Sequence, residues 1–226
     1  NNKLDSLGCS NNNIKELNIS PIAKLRFLYC NDNQLEALSI YQDTLSTLEC
    51  QNNKLKELNI VSGYTLNCSN NELADLKIPI GAVKVDCSHN KIGFLNLYNR
   101  TKLEWLNCSY NNLKELAINT ASRLNTLDCS NNSLINLDTR NAAGVNDKGL
   151  RRLICSDNMI SQLYANPNLW HINCNNNRIE NFKVPEKAGY LYCNNNKLVN
   201  LDVRNCTSLS WVECSNNNLS NIVLEN

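Results

Sequence analysis

Residues 103–118 read LEWLNCSYNNLKELAI. Leu103, Leu106, Cys108, Asn111 and Leu113 mark a spacing that returns from one end of the chain to the other. Eleven cysteines carry it: Cys9, Cys30, Cys50, Cys68, Cys87, Cys108, Cys129, Cys155, Cys174, Cys193 and Cys214. Three residues after each stands an asparagine, namely Asn12, Asn33, Asn53, Asn71, Asn90, Asn111, Asn132, Asn158, Asn177, Asn196 and Asn217. Leu or Ile follows every asparagine by two, from Ile14 to Leu219, and an apolar residue precedes every cysteine by two, from Leu7 to Val212. The unit is LxxLxCxxNxL.

A period near 20 residues with this grammar is that of a leucine-rich repeat, in which one unit is one coil and stacking neighbours bury a continuous core. The fold class expected is therefore a leucine-rich repeat solenoid, β-rich within the α/β superhelix class, with eleven coils. Around each cysteine the positions at minus two and zero are apolar. Those at minus three, minus one and plus one are expected to face outward, as a short strand with one buried face requires. Stacked strands give a parallel sheet on the concave side. A second apolar pair at plus eight and plus ten (Leu17 and Ile19, Leu38 and Ile40, Leu58 and Ile60, Leu116 and Ile118, Leu201 and Val203) predicts short strands or 3₁₀ turns on the convex side. Shorter coils carry Gly63, Pro79 with Gly81, or Pro185 with Gly189, where tight reversals are needed. The longest coil, between Cys129 and Cys155, places its surplus at residues 143–149, read as a projecting loop and not as a metal site.

Each recurring asparagine falls where the chain turns toward the core. Its amide can donate to and accept from backbone groups that would otherwise be buried unpaired. The residues at plus two, such as Asn11, Asn52, Asn70 and Asn131, are expected to face water. Twelve cysteines suggest a disulfide framework, but one per coil at a constant phase forms a file of parallel side chains, a geometry that seldom meets disulfide requirements. Free buried thiols are expected, with Cys206 a half-buried exception on the return side of its coil.

Length, composition and charge bound the function. The repeat runs nearly end to end, so residues 1–226 read as one domain, and the absence of polar caps at Asn1–Leu4 and at Asn226 suggests a fragment of a longer protein. With 22 basic and 21 acidic residues interleaved, no block of cations can track phosphates, which argues against nucleic acid. No stretch is long and apolar enough to span a membrane. His89 and His171 belong to the fifth and ninth coils, about 19 Å apart at ordinary strand spacing, and cannot share a metal. Outward carboxylates Glu49, Asp86, Asp128 and Glu213 are separated by about 10 Å or more, too far for a nucleophile and acid pair. No catalytic residue, metal site or cofactor is expected, and the chain is not read as an enzyme. Asn-x-Ser/Thr triplets arise automatically in such a repeat and carry no weight.

Function is sought on the outward rows. In the last four coils Arg152, Ile154, His171, Tyr190, Tyr192 and Trp211 should lie side by side. Aromatic and Arg side chains dominate binding hot spots because they offer large, rigid contact area with a polar handle. Phe27 with Tyr29 marks the second coil, and Trp105 with Tyr110 the sixth. Trp170 precedes its strand and reads as a loop anchor. The main expectation is a protein ligand on the concave sheet. A glycan is the alternative, with Trp211, Tyr190 and Trp105 stacking on sugar rings beside Asn67, Asn107, Asn173 and Asp128. A scaffold without a ligand is the third reading, in which the aromatics only pack against each other across strands.

The phrases CSNNNIKELNIS, CQNNKLKELNI, LNCSYNNLKELAI, LDCSNNSLINLD and LYCNNNKLVNLDV resemble the cysteine-ladder leucine-rich repeats of bacterial surface proteins, internalin-J-like and Bacteroidetes secreted proteins among them. The likeness covers nearly the whole chain. It implies a bacterial, extracellular or cell-surface protein and an adhesive role. The chain departs from the internalins in lacking a helical cap, a following immunoglobulin-like domain and a wall-sorting signal.

Overall fold

The computed structural model describes residues 3–20, 24–142 and 149–224. Eleven three-residue strands, each ending one residue before a repeat cysteine, form a single parallel sheet in sequence order, from Ser6–Gly8 through Trp105–Asn107 to Trp211–Glu213. Numbering the coils 1 to 11 by their cysteines, every strand pairs with its neighbour in unbroken register: Leu7 faces Leu28, Leu106 faces Leu127, and Leu191 faces Val212. The backbone ladder extends beyond the strands, with Cys108 N donating to Asp128 O at 2.8 Å and Tyr110 N to Ser130 O at 3.0 Å. The strands are short because side-chain alternation is needed only across minus three to zero. After that the chain turns under the core.

The convex side is also extended. Ala37–Ile40 pairs with Glu57–Ile60, Asn136–Asp138 with Gln162–Tyr164, and Asn200–Asp202 with Asn221–Val223, all in parallel. Among the described residues there is neither α-helix nor 3₁₀-helix, so of the two expected convex structures only the strand is realised. The core between the two sides is a file of Leu, Ile and Cys, with Leu28, Leu106, Leu127 and Leu191 fully buried. The 143–148 part of the projecting loop lies outside the described residues; at its root Leu150 N donates to Ala142 O at 2.9 Å.

All twelve thiols are free. Ten are buried, and Cys9 and Cys214 in the first and last coils are half-buried; Cys206, expected half-buried, is among the ten, its Sγ donating to Pro185 O at 3.5 Å. The Sγ of Cys87, Cys108 and Cys193 donates to the carbonyl of the next coil, at 3.5, 3.4 and 3.3 Å. Burial pushes the Cys30 and Cys193 thiols up to about 12, and raises those of Cys50, Cys68, Cys108, Cys129 and Cys155 as well. A thiol held protonated and out of reach of solvent is a poor nucleophile. Titration of the native protein with a disulfide reagent at pH 8 is therefore expected to count two fast thiols, with the remainder appearing on addition of denaturant. Six or more fast thiols would contradict a closed ladder.

The asparagine at plus three joins the backbone of its own coil to that of the preceding one. Asn111 is 8% exposed; its Nδ2 donates to Cys87 O, Cys108 O and Ser109 O at 3.0 to 3.2 Å, and its Oδ1 accepts from Ile92 N at 2.9 Å. The same pattern repeats from Asn33 to Asn217, for example at Asn71 and Asn196.

Two positions differ from expectation. Serines at plus one, expected outward, are buried at Ser69, Ser88, Ser109, Ser130 and Ser156. In four of them the side chain at minus one folds over: Asn67, Asp86, Asn107 and Asp128 each accept through Oδ1 from the backbone N–H and the hydroxyl of the serine two residues on. This local Asx turn shields the serine. At plus two, all eleven residues have left-handed backbone, from Asn11 (φ 56) to Asn216 (φ 55). Most face water as expected, but Asp32 and Asn131 are half-buried.

Candidate functional site

Strand register brings the late cluster together. Arg152, His171, Tyr190 and Trp211 occupy one outward row at minus three, and Ile154, Asn173, Tyr192 and Glu213 the adjacent row at minus one. His171 lies 5.6 Å from the Tyr192 ring and 6.1 Å from the Tyr190 ring, centroid to centroid. Burial first and the Arg152 guanidinium second hold its imidazole below the usual histidine range, so it is neutral at neutral pH and offers one donor and one acceptor. Trp211 is 51% exposed, with Nε1 donating to Glu213 Oε1 at 3.0 Å, which fixes its ring. Glu213 in turn accepts from Asn194 Nδ2 at 2.9 Å.

The other predicted residues lie apart from this cluster. Phe27 is half-buried under the Arg26 guanidinium, 5.0 Å from its centroid, and Tyr29 is exposed beside it in coil 2. Trp105 sits beneath Lys84 Nζ at 5.0 Å. Tyr110, grouped with Trp105 in sequence, stacks instead on His89 of the preceding coil, with centroids 4.1 Å apart and planes 11° from parallel. That pairing could not be seen from residues within one coil.

Trp170, read as a loop anchor, is 44% exposed and meets Tyr190 edge to face at 4.8 Å and 76°. Its backbone belongs to the sheet ladder, with N donating to Arg151 O and O accepting from Gly189 N and Tyr190 N. Trp170 thus extends the late aromatic cluster onto the flank of the solenoid. Among the described residues no group of three His, Cys, Asp or Glu side chains is placed to hold a metal ion, and no helix is long and apolar enough to cross a membrane.

The concave polar row is largely occupied by its own fold. The Oδ1 atoms of Asn67, Asn107, Asp128 and Asn173 all accept from residues two positions on, and Asn107 Nδ2 donates to Asp86 Oδ2 at 3.3 Å. Asn67 Nδ2, Asn173 Nδ2 and Asp128 Oδ2 make no hydrogen bond with the described residues and face outward on the same sheet as the late aromatic and basic cluster.

No family model and no curated protein matches the sequence. Solved structures do. The functional domain of InlJ from Listeria monocytogenes, which includes a cysteine ladder, is 26% identical, with a TM-score of 0.72 over 92% of this chain and 52% of that one. YopM, a leucine-rich effector protein of Yersinia pestis, is 22% identical, with a TM-score of 0.81 over 98% of this chain and 63% of that one. A leucine-rich repeat protein of Bacteroides eggerthii is 17% identical, with a TM-score of 0.59 over 86% of this chain and 44% of that one. The chain spans about half the length of the InlJ domain. Register, cysteine file and neighbours agree that this is a leucine-rich repeat solenoid with a cysteine ladder, similar to those of bacterial leucine-rich repeat proteins.

Proposed function

We propose that the chain is a non-enzymatic binding module of a bacterial surface or secreted protein, and that it engages a protein partner through the C-terminal half of its concave sheet. One observation carries the reading. Arg152, His171, Tyr190, Tyr192 and Trp211 form a contiguous patch whose rings are fixed by register and by each other, so little side-chain entropy remains to be lost on binding. A repeat solenoid supplies the extended concave surface such contacts need. A surface location and an adhesive role, which the resemblance of the repeat phrases to bacterial surface proteins implies, are part of the proposal.

The test is capture of partners from host-cell and envelope extracts by the intact chain, compared with a Tyr190→Ala, Trp211→Ala double variant. Trp211 makes its one polar contact with Glu213 and is half in water, so its loss costs little stability. Tyr190 packs against Trp170 and His171, so a loss of about 1 kcal/mol is expected there. Partner capture should fall at least tenfold while the variant stays folded. A partner retained in full by the variant would place the site elsewhere.

A further inference from the structure

On the flank of coils 8 to 11 a second group of side chains adjoins the concave patch, with Tyr190 between the two. Trp170 stands one residue before its strand, and its indole reaches across to coil 10. A Cβ built on Gly189 would lie 2.3 Å from Trp170 Nε1 and 2.8 Å from both Cδ1 and Cε2. Both flanking atoms are nearer than an approach in the ring plane along the N–H would leave them, so the five-membered ring lies face down over the glycine. Glycine is needed at 189 for that close approach, since any side chain would tip the indole away. Tyr190 buttresses the ring edge. Trp170 lines a cavity of about 360 Å³ together with Arg151, Asn168, Lys187 and Ser208.

The polar lining is specific. Lys187 Nζ donates to Asn168 Oδ1 at 2.8 Å, which holds the ammonium at the cavity wall. Arg151 is exposed, and its guanidinium has no hydrogen bond or ion pair with the described residues. The combination is a rigid aromatic plate, a guanidinium fork, an ammonium, an amide and a hydroxyl around a space at the lower end of the range for small-molecule sites, roughly 300–1,000 Å³.

We infer that this flank cavity is a saccharide subsite for a carboxylated hexose, a ring of the uronic-acid type. The C–H face of a pyranose covers the open indole face, and its carboxylate matches the planar donor fork of Arg151. The hydroxyl of Ser208 is within the same wall for a ring hydroxyl. An acidic peptide would supply the carboxylate without a flat apolar face, and a neutral sugar would leave the guanidinium unanswered.

The test uses the whole chain, titrated by calorimetry and by tryptophan fluorescence with trigalacturonate, with the same trisaccharide reduced to its neutral form, and with an aspartate-rich peptide. Trigalacturonate should bind, and the neutral trisaccharide at least tenfold more weakly. Gly189→Ala, which adds one methyl group and removes no polar atom, should weaken trigalacturonate at least tenfold at unchanged circular dichroism. Arg151→Gln should bring the acidic sugar down to the level of the neutral one. Trp170→Ala provides the same reading as Gly189→Ala should that variant fold poorly. Trp211→Ala, on the concave face, should leave saccharide binding intact, which separates this site from the protein-binding patch. Absence of trigalacturonate binding, equal binding by Gly189→Ala or Trp170→Ala, no preference for the acid, or tighter binding of the peptide would each overturn the assignment.

Discussion

The native solenoid is expected to unfold abruptly as the pH rises above about 9, where most proteins of neutral isoelectric point remain folded. The cause is the cysteine file. Nine thiols, from Cys30 to Cys193, are pushed upward chiefly by burial, two of them to about 12. In the unfolded chain each returns to about 8.5. A thiol is neutral when protonated, so a raised folded value means that the folded state keeps a proton the unfolded state gives up. The stabilisation is complete below about pH 8.5 and is lost as pH climbs toward the folded values. Each such group removes about 1.4 kcal/mol per pH unit once the unfolded thiol ionises, and nine together remove roughly 12 kcal/mol per unit. That slope equals the whole stability of an ordinary domain, about 5–15 kcal/mol.

Circular dichroism against pH, with a reductant present, should therefore show a cooperative transition with a midpoint near pH 9.5–10. The readout that isolates the thiols is the proton count. Replacing Cys87, Cys108 and Cys129 by alanine lowers the number of protons released on unfolding by three, whatever happens to the midpoint. A fold that persists with its thiols protonated at pH 11, or a slope unmoved by the triple variant, would mean that the file does not control alkaline stability. The cysteines thus act as small apolar side chains at neutral pH and as a set of ionisable groups in alkali. Leucine at the same positions would do only the first.

The solenoid was legible because its signals are local and repeated. Leu at minus two and Cys at zero set one buried column, and eleven copies of Asn at plus three set a second, so phase could be averaged over the chain. What depended on contacts between coils, or on a side chain folding back on its own backbone, was harder to read. The buried serines at plus one follow from the Asx turn of the residue two earlier, and the pairs Asn67 and Ser69, Asp86 and Ser88, Asn107 and Ser109, Asp128 and Ser130 were there as a signature. The left-handed turn was likewise written in composition. Nine of the eleven plus-two residues are Asn or Asp, the types that tolerate that backbone, and only His89 and Tyr110 depart.

The candidate surfaces divide the same way. Register alone lines up Arg152, His171, Tyr190 and Trp211, so their adjacency followed from counting residues. Trp170 did not yield to counting. Its exposure depends on Gly189, nineteen residues later and in another coil, having no side chain beneath the indole. The stacking of Tyr110 on His89 is of the same kind, because both side chains leave the backbone from left-handed residues whose direction the alternation rule does not describe.

The asparagine file is expected to be the most sensitive feature to single substitution, and the contrast between adjacent rows tests why. Asn111→Leu removes an amide that satisfies three carbonyls and one N–H in and around the fifth and sixth coils. Leucine is close in size but can neither donate nor accept. Each buried group left unpaired costs about 1–3 kcal/mol, and partial relief by water or relaxation still leaves about 3 kcal/mol or more in total. At Asn131 the side chain makes no hydrogen bond with the described residues, and the cost has another origin. Its backbone is left-handed (φ 53), a conformation that costs an ordinary residue about 1–2 kcal/mol. Asn131→Leu should thus lower stability by about 1 kcal/mol, while Asn131→Gly, which accepts that backbone freely, should be nearly neutral. Asn111→Gly, by contrast, should be as damaging as Asn111→Leu, because no conformational freedom restores the lost amide. Urea denaturation of the four variants separates the two causes: if glycine rescued position 111, or failed at 131, hydrogen bonding and backbone geometry would have been assigned to the wrong rows, and the file at plus three would not be what holds one coil to the next.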